Sequence, residues 1–306
     1  MGTIFNVQQI INGLQVGSIY ALIALGYTMV YGIVRLINFA HGDFFMLGAY
    51  AAYGAFFLFN ASLAGLAGKG GAVAFLALVA SMAVGASIAL LSNRFAYRPL
   101  RYKPKLSSLI TAIGVSMFLE YFLSALPIIG PSYRSFPEIL PKTQIAIGTA
   151  TISNYVVLDI LVAAVLMIGL TLLVKWSALG KAMRAVSQDK DAARLMGIDV
   201  ERVIAWTFAI GGAFAGAAGL LSGMTYPRIF PYMGIQPGLK AFIAAVLGGI
   251  GNIPGAVLGA YIMGLAETFA SAYNSLLGEG IAFAILIVVL LVRPRGILGE
   301  KTADKI

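Results

Sequence analysis

The run Ile10–Val34, IINGLQVGSIYALIALGYTMVYGIV, decides the class of fold. It holds 25 residues and no charge. A helix of about 20 apolar residues spans the hydrocarbon of a bilayer, so this run can cross one with some tilt. Further apolar stretches follow at Phe44–Phe59, Ala72–Ser92, Leu106–Ile129, Tyr155–Val174, Val203–Met224, Leu239–Ala270 and Gly280–Val292. Of the 306 residues, 60 % are hydrophobic and 11 % charged. A soluble domain is about a quarter charged, and the polar residues here are too few to cover a water-facing core. The expected fold is all-α, a polytopic transmembrane bundle of about eight helices, some short or discontinuous. A single transmembrane domain over 1–306 is expected.

Ile10–Val34 has no basic stretch before it and is too long for a signal-peptide core, so it reads as an uncleaved first span. Met1-Gly2 does not mark myristoylation, because Asn6 stands where Ser or Thr is required. The chain has no cysteine, which excludes disulfides and thiolate chemistry.

The formal charge of +9 would suggest nucleic acid in a soluble protein. Here the cations fall in three segments between or after the apolar runs. The first holds Arg94, Arg98, Arg101, Lys103 and Lys105. The second is the loop 175–202, with Lys175, Lys181, Arg184, Lys190, Arg194 and Arg202. The third is the tail, with Arg293, Arg295, Lys301 and Lys305. Cytoplasmic loops of membrane proteins carry such an excess, so all three segments are placed inside, with membrane lipid and not nucleic acid as the surrounding partner. The loop 131–153 and Pro227–Pro237 then face outward, on the periplasmic side, as does the N-terminus. Ile145, Ile147 and Ile152 around Gly148 suggest a small hairpin in the outer loop.

From Pro237 outside to Arg293 inside, the chain must cross an odd number of times. A break at Gly248-Gly249-Ile250-Gly251-Asn252-Ile253-Pro254-Gly255 satisfies this. Leu239–Leu247 becomes a short helix entering from outside, and Asn252 caps the next helix with Pro254 in its first turn. Two readings of the break stay open. It is a packing kink, or it places a helix N-terminus in mid-membrane, where the positive pole attracts an anion. Glycines spaced four apart (Gly13/Gly17, Gly212/Gly216, Gly219/Gly223, Gly251/Gly255, Gly255/Gly259) let helix backbones approach closely, either within the bundle or at a subunit interface.

Catalytic constellations are nearly absent. His41 is the one histidine, and no phosphate loop or nucleophile elbow occurs. No catalytic residue, metal site or cofactor of this chain's own is expected. Ionisable groups inside apolar runs are the functional suspects, because burying them is costly. Glu120 lies mid-run, while Asp159 and Glu267 lie nearer the ends, where snorkelling or interfacial water could satisfy them. Asn38-Phe39-Ala40-His41-Gly42-Asp43 gathers polar groups before the second span. It is either a capped helix start or an inner-gate loop. In Gly180–Arg202, Ser187 or Asp189 caps a short helix whose apolar face is Ala192, Ala193, Leu195 and Met196, closed by Gly197. A lone short helix cannot bury that face by itself. It lies on the membrane or bundle, or docks into another protein.

These pieces resemble the LivH family of permeases of branched-chain amino acid ABC importers. The resemblance rests on Asn12-Gly13-Leu14 through Gly26, on Ile37-Asn38-Phe39-Ala40-His41-Gly42-Asp43-Phe44, on Arg184 to Gly197, and on Leu239-Lys240-Ala241-Phe242 through Asn252 with Gly255-Ala256. It implies a second related permease subunit (hetero- or homodimeric pairing), two cytoplasmic ATPase subunits that bind ATP and Mg, and a periplasmic substrate-binding protein. It implies an ATPase-coupling helix at Asp189–Met196, with Arg184, Asp189, Lys190, Asp191, Arg194 and Gly197 as the coupling residues. Asn38, His41, Asp43, Glu120, Gly248, Gly249, Gly251 and Asn252 are the expected pathway or gate residues. The same architecture carrying urea, short amides or a sugar, or an ion-coupled secondary carrier, are the alternatives.

Overall fold

The computed structural model describes residues 7–62, 69–101, 103–147 and 150–299. Met1, Gly2, Asn6, Gly148, Lys301 and Lys305, which bear on the expectations above, lie outside these. The elements are α1 (Val7–Val34), α2 (His41–Ser62), α3 (Lys69–Ser92), α4 (Lys105–Ala125), β1 (Arg134–Ser135), β2 (Gln144–Ile147), β3 (Ala150–Ser153), α5 (Asn154–Trp176), α6 (Ala178–Gln188), α7 (Lys190–Leu195), α8 (Val200–Thr225), β4 (Arg228–Ile229), α9 (Ile235–Gly248), α10 (Ile253–Tyr273) and α11 (Ser275–Val292). A π-helical turn, Asn93–Tyr97, and a 3-10 turn, Arg98–Leu100, continue α3. Eight of the helices are long and apolar enough to cross a bilayer, and α9 is a shorter apolar one. Within lipid a helix satisfies its own backbone, which is why the spans are helical throughout.

The centre of the bundle is α1 and α8, buried along most of their length. α1 packs on α10, α8, α9 and α5, while α8 packs on α3 and α2. Small residues set these contacts. Gly13 and Gly17 of α1 lie against Leu265 and Tyr261 of α10, Gly212 against Gly85 of α3, and Gly219 against Phe45 of α2. A Cβ at any of these positions would overlap its neighbour, so these four-residue glycine spacings serve packing inside this chain. The outer helices turn apolar side chains away from the bundle, as lipid requires. Ile110 and Phe118 of α4 and Leu290 and Leu291 of α11 are among those exposed.

The two ends of the bundle differ as expected. Arg35, Arg94, Arg98, Arg101, Lys175, Lys181 and Lys190 all fall at the end where α1, α3 and α5 finish. At the opposite end β2 pairs antiparallel with β3, with Ile145 opposite Ile152. There β1 also pairs with β4, tying the loop after α4 to the loop after α8.

The break near the C-terminus is present, but at a different depth from the mid-membrane reading. Gly251 lies beside Gly32, two residues from the end of α1, so the turn sits near the basic end of the bundle. Gly249 and Gly251 have φ of +106° and +98°, a backbone region that residues with a Cβ rarely adopt. The tail returns to this turn, where the Ile297 and Leu298 N–H groups donate to the carbonyls of Leu247 and Gly248 at 2.8 and 2.9 Å. Asn252 caps α10 by accepting from Gly255 N–H at 2.9 Å, and donates to the Leu298 carbonyl at 3.1 Å.

Candidate functional site: a mid-bundle cavity and an exposed short helix

The helix N-termini at membrane depth are those of α2 and α9. After Val34 the chain reverses at Arg35, a non-glycine residue at φ +59°. It runs back into the bundle, so that the His41 ring lies against Gly26 of α1. Gly26 is eight residues before Val34, and at 1.5 Å per residue that places the start of α2 about 12 Å inside the end of α1. On the opposite side, the loop after β4 descends until Gly234 touches Gly42. Of Pro227–Pro237, expected to face outward, only the first part does so, and Ile235 already opens α9. A side chain on either Gly42 or Gly234 would collide with the other's backbone, so only a glycine pair brings the two helix starts this close.

Between these starts lies a cavity of about 120 Å³, with Tyr27 of α1, Phe39, Asp43 of α2, Ser116 of α4, and Ile235 and Leu239 of α9 in its wall. The Asp43 carboxyl group faces Ser116 and Glu120 of α4. Asp43 is 2 % exposed and Glu120 6 %. The two carboxyls, 77 positions apart in sequence, thus form one acidic pair. Among the described residues, Asp43 Oδ2 has no hydrogen-bond partner. The capping reading of this segment does not describe its side chains. Asp43 turns to α4, while Asn38 accepts from the Tyr97 hydroxyl in the π-helical turn. His41 is enclosed by Tyr27 and Phe44, at ring-centroid distances of 4.6 and 5.7 Å.

A second cavity, about 630 Å³, lies between the first and the basic end of the bundle. Tyr31 and Ser108 line it, one and two helical turns further along the α1 and α4 faces that carry Tyr27 and Ser116. Ile37 borders the lower cavity and Phe39 the upper, so the segment 35–40 separates them. Arg35, Arg101, Lys103 and Lys190 make the lower cavity strongly basic.

Lys190 opens α7. Asp189 caps this helix by accepting from Asp191 and Ala192 N–H groups at 2.9 and 3.0 Å, and Gly197 at φ +80° follows it. Lys190 Nζ donates to the Val34 carbonyl at the end of α1, at 3.3 Å. Burial lowers the Lys190 pKa, and the neighbouring Arg101, Arg35 and Arg194 lower it further against the opposing Glu201. Glu201, in the first turn of α8, bonds Arg101, pairs with Arg98 at 3.1 Å, and reaches Arg194 at 3.9 Å. Arg184 of α6 is tied to the carbonyls of Val174 and Lys175 at the end of α5. Asp191 is exposed and 3.7 Å from Arg194. Ala193 is buried, but Leu195 and Met196 are 89 % and 82 % exposed.

The sequence-predicted pathway residues therefore fall into two places. Asn38, His41, Asp43 and Glu120 come together at the start of α2. Gly248, Gly249, Gly251 and Asn252 form the separate turn packed on the tail. Asp159 and Glu267 have partners in this chain in place of interfacial water, although the buried Asp159 Oδ1 has none among the described residues. Asp159 Oδ2 accepts from Gln15 at 2.7 Å and Thr225 at 2.8 Å. Glu267 pairs with Lys240 at 2.6 Å and accepts from the Tyr20 hydroxyl at 2.8 Å. Sequence reading passed over Gln15, Tyr20, Lys240 and Glu201. For Lys240 a signal existed: it is a cation inside an apolar run, with a carboxylate on the next helix. Among the described residues, no group of three or more His, Cys, Asp or Glu side chains could hold a metal ion.

The sequence profile described as "Branched-chain amino acid transport system / permease component" matches residues 9–290. The chain belongs to this permease family. It is 42 % identical to the high-affinity branched-chain amino acid transport system permease protein LivH of Escherichia coli, over 99 % of this chain and 98 % of that one. It is 43 % identical to the corresponding protein BraD of Pseudomonas aeruginosa, over 98 % and 97 % of the two chains. A probable branched-chain amino acid transport permease protein LivH of Methanocaldococcus jannaschii is 31 % identical over 92 % of this chain and 89 % of that one. With its apolar spans, membership in this permease family makes the chain a multi-pass inner-membrane transport subunit, not an enzyme.

Proposed function

We propose that this chain is the permease subunit of an ATP-driven importer for branched-chain amino acids. The solute path runs through the two stacked cavities, past Asp43 and the segment 35–40. A second related permease encloses that path, two cytoplasmic ATPase subunits that bind ATP and Mg drive it, and a periplasmic binding protein delivers the solute. The carrying observation for the coupling role is α7. It projects from the basic end of the bundle with Leu195 and Met196 almost fully exposed, although it is anchored through Ala193, Lys190 and Arg194. Two exposed apolar side chains beside cations suit a groove on a partner protein. The alternative occupant of the architecture, an ion-coupled carrier, has no use for such a helix.

The test is the double substitution Leu195→Glu, Met196→Glu in the complex reconstituted with its ATPases and binding protein. Each buried Leu or Met contributes about 1.5–3 kcal/mol, so leucine-stimulated ATP hydrolysis and uptake should fall by roughly tenfold or more. Thermal stability of the permease should hold, because substitutions at exposed positions shift stability by only about 0.5 kcal/mol. Unchanged uptake would remove α7 from the coupling role. Transport under an ion gradient without ATP would overturn the importer reading itself.

A further inference from the structure

We propose that the 120 Å³ cavity between the starts of α2 and α9 binds the charged backbone of a zwitterionic amino acid, with Asp43, backed by Glu120, holding its ammonium group and the start of α9 its carboxylate. The proposal rests on the reading of this chain as an amino acid permease and adds where, and in which orientation, the solute is held.

Three observations carry it. The first is an acid whose hydrogen bonds to Ser116 and Glu120 leave one oxygen over. Asp43 is 2 % exposed, it lines the cavity, and its Oδ2 has no partner among the described residues. The groups facing it are Tyr27, Ser116 and Glu120, none of them cationic. A buried carboxylate without a counter-charge is costly, and a second carboxyl beside it adds repulsion. An ammonium group in the cavity at the free Asp43 oxygen offsets both costs.

The second observation is the opposite pole of the same cavity. Helix α9 runs for 14 residues, and its start at Ile235 faces the cavity. Its N-cap is Gly234, which has no side chain with which to cap the helix. Ile235 N–H donates to the Tyr232 carbonyl at 3.3 Å and Pro237 has no N–H, so what this end offers an anion is the positive pole of the helix more than free donors. A carboxylate and an ammonium on one carbon satisfy an acid pair and a helix N-terminus on facing walls, which neither a simple cation nor a simple anion does.

The third is size and lining. At about 30 Å³ per water in the liquid, the cavity holds about four waters, comparable to the ammonium, α-carbon and carboxylate of one amino acid. Around these groups Tyr27, Phe39, Ile235 and Leu239 present apolar surface suited to an aliphatic side chain.

The chain has no cysteine, which makes a single introduced thiol an unambiguous reporter. The experiment uses Ser116→Cys in the complete complex in nanodiscs. The rate of methanethiosulfonate labelling of this chain is followed by mass spectrometry, and leucine uptake is measured in parallel. The probes are leucine, isopentylamine (no carboxylate) and 4-methylpentanoate (no ammonium). At leucine tenfold above its Kd, mass action leaves roughly a tenth of the sites open, so labelling should slow about tenfold. Isopentylamine should protect less, and 4-methylpentanoate not at all. Asp43→Asn should abolish protection by leucine and by the amine. The comparison of the three probes needs no change at Asp43, so it stands even where that variant does not fold.

Leucine uptake with no protection of the introduced thiol overturns the site and leaves the permease reading intact. Protection by 4-methylpentanoate equal to that by leucine overturns the assignment of the ammonium to the acid pair. Protection retained in Asp43→Asn does the same. A thiol unlabelled with or without ATP also overturns the site, since the site must open during the cycle. A complex that hydrolyses ATP but transports no amino acid overturns the permease reading and the site with it.

Discussion

Replacing Lys240 by Met tests whether the buried ion pair is a structural tie between α9 and α10. The pair is 2.6 Å long, and its side chains are 7 % and 17 % exposed. Removing one partner of a buried pair costs about 3–5 kcal/mol, because it leaves an uncompensated charge. Here Glu267 keeps one donor, the Tyr20 hydroxyl at 2.8 Å. That bond is present in parent and variant alike, but it leaves the carboxylate partly compensated, which puts the loss at the lower end of the range, roughly 3 kcal/mol. At about 1.4 kcal/mol per decade, the folded-to-unfolded ratio should fall roughly 100-fold. Reversible unfolding in mixed micelles titrated with sodium dodecyl sulfate measures this. Adding Glu267→Gln to Lys240→Met should recover most of the loss, because the neutral amide oxygen still accepts from Tyr20 and no unpaired charge remains. Lys240→Met within about 0.5 kcal/mol of the parent would refute the reasoning, since that is the range of a surface change. A double variant no more stable than the single one would refute it equally.

Gly26→Ala would place a methyl group into the His41 ring and 2.9 Å from the Gly211 carbonyl oxygen, so it should cost about 1–3 kcal/mol by overpacking. Gly114→Ala, with nothing within 4 Å, should instead gain up to about 1 kcal/mol from helix propensity. Equal melting temperatures for the two purified variants would contradict the close packing at Gly26. Lys190 provides a pH test. Burial, followed by Arg101, Arg35 and Arg194, lowers its pKa, so the folded chain holds this proton less tightly than the unfolded chain does. Between the lowered folded value and the ordinary value of about 10.4, the unfolded state binds more protons, and stability rises with pH. Lys190→Gln should therefore be more stable than the parent at neutral pH, and the difference should shrink as pH rises toward that ordinary value. A difference that stays constant with pH in thermal unfolding would show that the charge on Lys190 is not strained.

Hydropathy made the spans legible, and the placement of cations the gathering of basic residues at one end of the bundle, because burial of apolar length and exclusion of charge are local properties of sequence. The break at Gly248–Gly255 was legible for a similar reason: glycines and a proline interrupt the helix wherever it lies. Depth was not. The same residues that interrupt a helix in mid-membrane also form a turn at the basic end of the bundle, and only the contact of Gly251 with Gly32 distinguishes the two. Nor does Asn38–Asp43 state in its composition that it re-enters the bundle, which follows from Arg35 at φ +59° and the fit of His41 against Gly26. Side-chain pairing between distant helices was the least legible. Glu120 read as a solitary acid because its neighbour Asp43 lies two helices earlier in the chain.

The position of α7 gives the segment 35–40 a particular mechanical relation to the rest of the bundle. Lys190 holds the carbonyl of Val34, the residue before the segment begins. Arg194 reaches Glu201, which also binds Arg101 and Arg98 in and after the 3-10 turn. The π-helical turn immediately before it carries Tyr97, which is stacked on Phe208 of α8 and donates its hydroxyl proton to Asn38. One short helix is thus connected to the start of the segment directly and to its middle through the end of α3. The same segment separates the basic lower cavity from the cavity that holds Asp43. A packed interface moves between discrete arrangements and does not deform continuously. A displacement of α7 against the bundle would therefore act on the segment at two points, one of them next to Arg35, the one non-glycine residue at positive φ among the described residues.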